Sequence, residues 1–411
     1  MSAITLIPCL DKRDDRPCFR ARIAHSISAR IMNRIPARVE LAGGKVLGDG
    51  SASTAINVAN PAGLFSRMGH EPIIGFGDSY MAGDWMAGEG TDLGAALTVF
   101  AERITTAIPR WVQSVSVLVA RRPPRRQRNT LSGARRNIEA HYDLSNDLFR
   151  AFLDPSLTYS SALFDDSRPW AEQTLEEAQL RKVDSALDLA KVGPGMRILE
   201  IGTGWGTLAI RAAQRGAHVT TLTLSKEQAA LAADRARQAG VADMIDIRLQ
   251  DYREATGTYD AVVSVEMIEA VGEEYWQTYF ATIDRLLAPG ATAVVQSILM
   301  RHDRYLATRR SHSWIQKHIF PGGIIPSVKA IRRRTAKTTL VITEQKHFGL
   351  HYAETLRRWR ATFNAQWPHI QPLGFDEEFR RMWELYLAYS ESGFATDYLD
   401  VAQIRLERAA A

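Results

Sequence analysis

From about Asn137 onward, short apolar runs alternate with longer stretches whose apolar positions recur every third or fourth residue. Runs of roughly four to eight aliphatic residues read as buried strands, and the 3.6-residue recurrence reads as a helix packed on one face. The pattern predicts strands at Arg197–Ile201, His218–Leu224, Ile245–Leu249, Ala261–Val265 and Ala291–Ile298. It predicts helices at Leu208–Arg215, Glu227–Gln238, Trp276–Leu287, Tyr352–Trp367 and Glu377–Tyr389, then a last strand at Tyr398–Ile404. Strands joined by helical crossovers make a mostly parallel sheet with helices on both faces, so the expected class is α/β, doubly wound and Rossmann-like.

The earlier residues have another texture. A basic amphipathic stretch (His25–Ile35), a glycine-punctuated hairpin-like run (Arg38–Asp49) and a turn-rich segment point to a smaller α+β domain over 1–120. This section shows no obvious chemistry and is expected to serve docking or dimerisation. Next comes Arg121-Arg122-Pro123-Pro124-Arg125-Arg126-Gln127-Arg128, poor as helix and as strand, so 121–136 reads as a basic linker and 137–411 as the catalytic domain. The longest apolar stretch, around Trp111–Ala120, is broken by Gln113 and Ser114 and is far short of the ~20 residues of a spanning helix.

Composition narrows the class. The 411 residues are 45% hydrophobic and 24% charged, a globular balance that excludes disorder, collagen and disulfide scaffolds. Cys9 and Cys18 fit a reducing compartment, and Met1–Leu10 runs into Asp11-Lys12-Arg13-Asp14-Asp15 without an apolar signal core, so a cytoplasmic location is expected. The net charge of +5 is unevenly spread: Arg103–Ile138 holds nine arginines and no acid, Arg301–Lys337 holds ten Lys/Arg and one acid, and the rest of the chain sums to −13. Two basic segments on an acidic body suggest an anionic partner, nucleic acid or a phospholipid surface.

The strongest local signal is Ile198-Leu199-Glu200-Ile201-Gly202-Thr203-Gly204-Trp205-Gly206, a buried strand running into a glycine turn that opens a helix. Glycines there let the backbone approach a ligand at the carboxyl edge of the strand. No Gly-Lys-Ser/Thr follows, so it is not a Walker loop. The E-x-G-x-G-x-G combination resembles motif I of class I S-adenosylmethionine (AdoMet) methyltransferases. Asp251-Tyr252 stands where that family places an acidic or aromatic contact to adenosine.

Further segments narrow the resemblance. His141–Phe149, Leu157–Phe164, Thr223–Gln228, Val265–Gly272, Trp314–Gly323, His351–Leu356, Tyr386–Phe394 and Gly77–Trp85 look like segments of the cyclopropane fatty acid synthases, in order over nearly the whole chain. Within that family the chain looks closest to the actinomycete enzymes of the tuberculostearic acid pathway, which place a one-carbon branch on oleoyl chains. The resemblance implies AdoMet contacts at Tyr159, Ser160, Gly202, Gly204, Thr223, Gln228 and Tyr252, with Thr203, Trp205, Gly206 and Asp251 completing that surface. It also implies a bicarbonate ion bound around Glu269, Tyr352 and the backbone near Ile298. A cysteine and a histidine help hold that ion in bacterial cyclopropane enzymes, and Ser161 and Gln296 stand at those positions here. A second family cysteine corresponds to Ser390, so thiol catalysis in the core is excluded. No metal is expected.

Methylating an unactivated cis alkene requires near-attack alignment in a dry channel and a base that removes one proton from the resulting carbocation. Loss from the added methyl closes a cyclopropane; the same loss after a hydride shift leaves an exocyclic methylene. Glu269 is the candidate for orienting the base with Tyr352, and Gln296 and Ser161 are expected to keep the ion site in an altered geometry. The expected product is a 10-methylene acyl chain on phospholipid, with a cyclopropane as the alternative. The basic segments are then expected to dock the enzyme peripherally on the anionic inner face of the membrane, with Ile319-Phe320 and Ile324-Ile325 at that interface. No nicotinamide or flavin signature is evident, so a separate reductase would have to saturate the branch. A nucleic-acid-modifying enzyme would often carry a proline-rich motif where Glu266-Met267-Ile268-Glu269 stands, and no recognition module is seen. A catalytically silent lipid-binding relative is the third reading.

Overall fold

The computed structural model describes residues 19–107, 124, 127–131, 133–134 and 145–409. Cys9, Cys18, the Trp111–Ala120 stretch, half of the basic linker and His141–Leu144 lie outside them. The described residues form two compact units that do not divide the sequence at one point. One contains the residues up to Arg122 together with Ser311–His318 and Phe375–Thr396; the other contains Pro123–Arg310, Ile319–Gly374 and from Asp397 onward.

In the first unit, β1 (Arg38–Leu41), β2 (Lys45–Gly48), β3 (Ala55–Val58) and β4 (Trp85–Ala87) form a sheet in the order β2-β1-β3-β4. The hairpin expected at Arg38–Asp49 is β1 and β2, turned by Gly43 and Gly44, whose φ of 96° and 83° suit residues without a Cβ. The helix Glu377–Ala395 belongs here and not to the α/β unit, which changes the contiguous 137–411 division. It lies on the helices Pro72–Met81 and Leu93–Ala107. Tyr80 O–H donates to Glu384 at 3.0 Å and Arg381 Nε donates to the Met81 carbonyl at 2.7 Å. A Cβ on Gly94 would approach the Glu391 carboxylate to 2.6 Å, so the small residue permits the helix contact.

The second unit is built on a seven-stranded sheet: β5 (Arg197–Ile201), β6 (His218–Thr223), β7 (Ile245–Leu249), β8 (Tyr259–Val265), β9 (Leu287–Met300), β10 (Leu340–His347) and β11 (Leu399–Arg408). Their order is β10-β11-β9-β8-β5-β6-β7, with β5 to β9 parallel and the last two antiparallel. Successive side chains of one strand serve opposite faces: Leu199, Val262 and Val295 pack with Trp276 and Phe280 on one side, Ile198, Val263 and Val294 with Ala186 and Ala209 on the other. Both faces are therefore covered, which is why these strands read as unbroken apolar runs. The order reverses between β5 and β8, and in such sheets ligands bind beyond the carboxyl ends of the strands at that reversal.

Candidate active site

The reversal point holds a cavity with about 1170 Å3 of empty space, part of it open to solvent. The loop after β5 forms its floor. Gly202 (φ 99°) lies so close to Met267 that a Cβ would come within 2.4 Å of the Met267 Cγ, while a Cβ on Gly204 (φ 51°) would meet no atom within 4 Å. Tyr159, Ser160, Gly202, Thr203, Gly204, Trp205, Thr223, Gln228, Asp251 and Tyr252 all line this one cavity. Gly206 does not. It takes a φ of 89° at the start of the helix Thr207–Gln214 and abuts Ala232, so its role is packing.

Local hydrogen bonds tie this lining together. Trp205 Nε1 donates to Asn146 at 2.8 Å, and Arg235 donates to the Trp205 carbonyl at 2.6 Å and the Ser156 carbonyl at 2.9 Å. The Thr223 hydroxyl donates to Gln228 at 2.9 Å and accepts from Ser225 N–H at 3.1 Å. Asp251 is not a bare acceptor for a ligand: Arg253 clasps it through Nε at 2.8 Å and Nη2 at 2.7 Å. Glu200, at the end of β5, is buried and receives the Thr221 hydroxyl at 2.6 Å, and burial pushes it up to about 8.

The segment Ser160–Phe164 is strapped along the helix Gly349–Ile370. Ala162 N–H donates to Thr355 at 3.1 Å and Phe164 N–H to His351 Nδ1 at 3.0 Å. Lys182, fully buried on the helix Leu175–Leu189, donates to the Ser160 hydroxyl at 2.6 Å and lines the cavity. Burial lowers it to about 8, opposed by the charges of Glu266, Asp154 and Glu200. The sequence reading had no signal for Lys182, because a lysine in a helix is normally a solvated residue.

The strap, β9 and the helix Gly349–Ile370 converge on Glu266, which also lines the cavity. Its carboxylate accepts from Ser161 N–H at 2.9 Å, Gln296 Nε2 at 2.8 Å and Tyr352 O–H at 2.8 Å. Three of the expected catalytic residues are thus brought together, but around Glu266 and not Glu269. Glu269 accepts from Ser297 O–H at 2.9 Å and from Ile298 N–H at 2.6 Å, so the expected Ile298 contact forms. Its second oxygen is buried without a partner, and burial, then the Glu266 charge, push the group up to about 8. Behind Gln296 stands Gln403 on β11, which donates to the Gln296 amide oxygen at 3.1 Å and to the Lys182 carbonyl at 3.0 Å. Gln403 is fully buried and also escaped the sequence reading.

The cavity fits AdoMet: a glycine floor without Cβ atoms, aromatic faces at Tyr159 and Tyr252, and carboxylates suited to a sulfonium cation. It does not fit the implied bicarbonate, since the Ser161, Gln296 and Tyr352 donors are already spent on Glu266. Fold and site together define a class I AdoMet methyltransferase. The solved structure of the mycolic acid cyclopropane synthase CmaA1 with SAH and CTAB superimposes with a TM-score of 0.61 at 30% identity, covering 67% of this chain and 98% of that one. Residues 129–404 match the family model for mycolic acid cyclopropane synthetase, and the chain belongs to that family. Two relatives match over nearly the whole length. The tuberculostearic acid methyltransferase UfaA1 of Mycobacterium tuberculosis is 47% identical over 398 residues, 94% of this chain and 91% of the relative. The cyclopropane-fatty-acyl-phospholipid synthase of Escherichia coli is 33% identical over 368 residues, 88% of this chain and 89% of the relative.

Proposed function

We propose that this enzyme transfers the methyl group of AdoMet to the cis double bond of an oleoyl chain in phospholipid, leaving a 10-methylene branch. The observation that carries this reading is its greater identity to the tuberculostearic acid methyltransferase, 47%, than to the cyclopropane synthase, 33%. When bound, AdoMet supplies an electrophilic methyl on a sulfonium cation. Tyr159, Ser160, the Gly202–Trp205 loop, Thr223, Gln228 and Tyr252 would hold it. Phe149, Phe152 and Trp359 pack edge-on or tilted around Tyr159 of the cavity lining, an aromatic cluster suited to excluding water from a carbocation.

Membrane docking would use a smaller surface than the sequence suggests. Ile319 is buried and Ile324 packs against the core, so these residues do not form an interface. Lys317 pairs with Asp78 at 2.5 Å. Arg301, Arg310, Lys329, Arg332, Arg333 and Lys337 stay exposed, with Leu306 among them, and their charge suits anionic headgroups. Among the described residues no helix is long and apolar enough to cross a membrane. The function is tested by mass spectrometry and NMR of fatty acids after incubation with AdoMet and oleoyl phospholipid vesicles. A gain of one CH2 with an olefinic signal retained is expected. Upfield ring protons would assign a cyclopropane instead, and no gain would refute the acceptor.

A further inference from the structure

A side chain of this protein occupies the donors that the resemblance assigns to an ion. Ser161 N–H, Gln296 Nε2–H and Tyr352 O–H come from three distant parts of the chain and end on one carboxylate. Glu266 reaches them from an unusual backbone: its φ is 51°, a left-handed conformation open to glycine and strained for a branched-off side chain. The Gln296 carbonyl holds that turn by accepting Glu266 N–H at 2.8 Å. Backbone strain that the surroundings over-determine is characteristic of functional positions. The strain here aims a carboxylate into the cofactor cavity.

Two carboxyl groups three residues apart have been given different environments. Glu269 has two donors on one oxygen and none on the other, and at about 8 it is mainly protonated at neutral pH. Glu266 has three donors and the Lys182 charge, which pull against the rise that burial imposes. Paired carboxyls with separated environments mark an assignment of roles. We infer that the Glu266 carboxylate is itself the base that removes the proton after methyl transfer, in the position for which the resemblance implies a bicarbonate ion. The inference rests on the reading of this enzyme as an alkene methyltransferase.

The alkene π pair forms the bond to the methyl carbon while the S–CH3 bond breaks toward sulfur, leaving a thioether and a carbocation on the neighbouring carbon. A hydride moves with its pair to that carbon, so the charge passes to the carbon bearing the new methyl. A methyl C–H bond then breaks, its pair becomes the exocyclic C=C bond, and the proton passes to a Glu266 oxygen, later released to solvent. A base fixed by its own chain needs no ion from solution.

Wild-type protein is first assayed on oleoyl phospholipid vesicles in buffer freed of carbon dioxide, with and without added sodium bicarbonate. Equal rates are expected; a rate that appears only with bicarbonate overturns the inference. A wild-type protein that adds no methyl in either buffer refutes the alkene-methyltransferase reading itself, before any variant is compared. Glu266→Gln should bind AdoMet in calorimetry like wild type yet lose about 100-fold or more in kcat. Retained kcat overturns the inference. Glu266→Gly, relieved of the left-handed strain, should bind bicarbonate with a saturable heat that wild type lacks and regain rate when the ion is added. An AdoMet-binding Glu266→Gly that gains neither heat nor rate also counts against it.

Discussion

Replacing Glu269 with glutamine should stabilise the enzyme at pH 8 and change little near pH 5. The ordinary value of this carboxyl is 4.5, and burial followed by the Glu266 charge pushes it to about 8 in the folded protein. Between those limits the folded state keeps a proton that the unfolded chain has lost, so stability falls as pH rises through the window and levels off above it. Each pH unit fully inside the window costs about 1.4 kcal/mol, and allowing for the rounded ends, pH 5 to pH 8 amounts to ~3–4 kcal/mol. Glutamine imitates the protonated acid at every pH. Its carbonyl can still accept Ser297 O–H and Ile298 N–H, and its second position lacks a partner just as the buried Oε2 does. Glu200, also pushed to about 8, adds its own slope to both proteins and cancels in their difference. Urea unfolding followed by tryptophan fluorescence at both pH values measures that difference. An equal effect of the substitution at pH 5 and pH 8 would show that Glu269 is not held neutral, and the reasoning would fail.

Lys182→Met removes the buried ammonium whose charge counters the burial of Glu266. The Glu266 carboxyl should then hold its proton to higher pH, moving the acid limb of kcat/KM up by about 1–2 units with activity recovered in alkali; an unmoved limb refutes the link. Gly204→Ala places a Cβ where no protein atom lies within 4 Å, whereas the same change at Gly202 drives it to 2.4 Å from the Met267 Cγ. The Gly204 variant should therefore weaken AdoMet binding about tenfold, a loss of about 1.4 kcal/mol, and lower Tm only by the ~1 kcal/mol that an alanine costs at a φ of 51°. The Gly202 variant, which adds the Met267 clash to a φ of 99°, should lower Tm further, and the opposite pattern in calorimetry and thermal melts would refute the assignment.

Much of the sheet was legible because its central strands β5, β8 and β9 are buried on both faces. β5 and β7 fall at the expected residues, and β6, β8 and β9 differ only at their ends. β10 went unread: it is an edge strand, exposed at five of its eight positions, and its run Thr343-Glu344-Gln345-Lys346 has the polarity of a loop. The helix Glu377–Ala395 was read as a helix, since its apolar spacing is local information. Its membership of the other unit was not, because a helix face does not name the surface that covers it.

The cofactor surface from Tyr159 to Tyr252 was legible through the family resemblance; local chemistry determined the glycine loop after β5 and the alternation of strand and helix. Each follows from neighbours along the chain: a backbone that must pass close to a ligand needs glycine, and a strand covered twice must be apolar throughout. Tertiary structure alone decided which of two glutamates, three residues apart, receives Tyr352 and Gln296. The donors arrive from a strap near residue 161, from β9 and from a helix beginning at Gly349, and Gln403 on β11 orients one of them. Hydrogen bonds between segments so far apart leave no periodic trace in the sequence, and burial of the pair, which sets their charge, exists only once the sheet has brought those segments together.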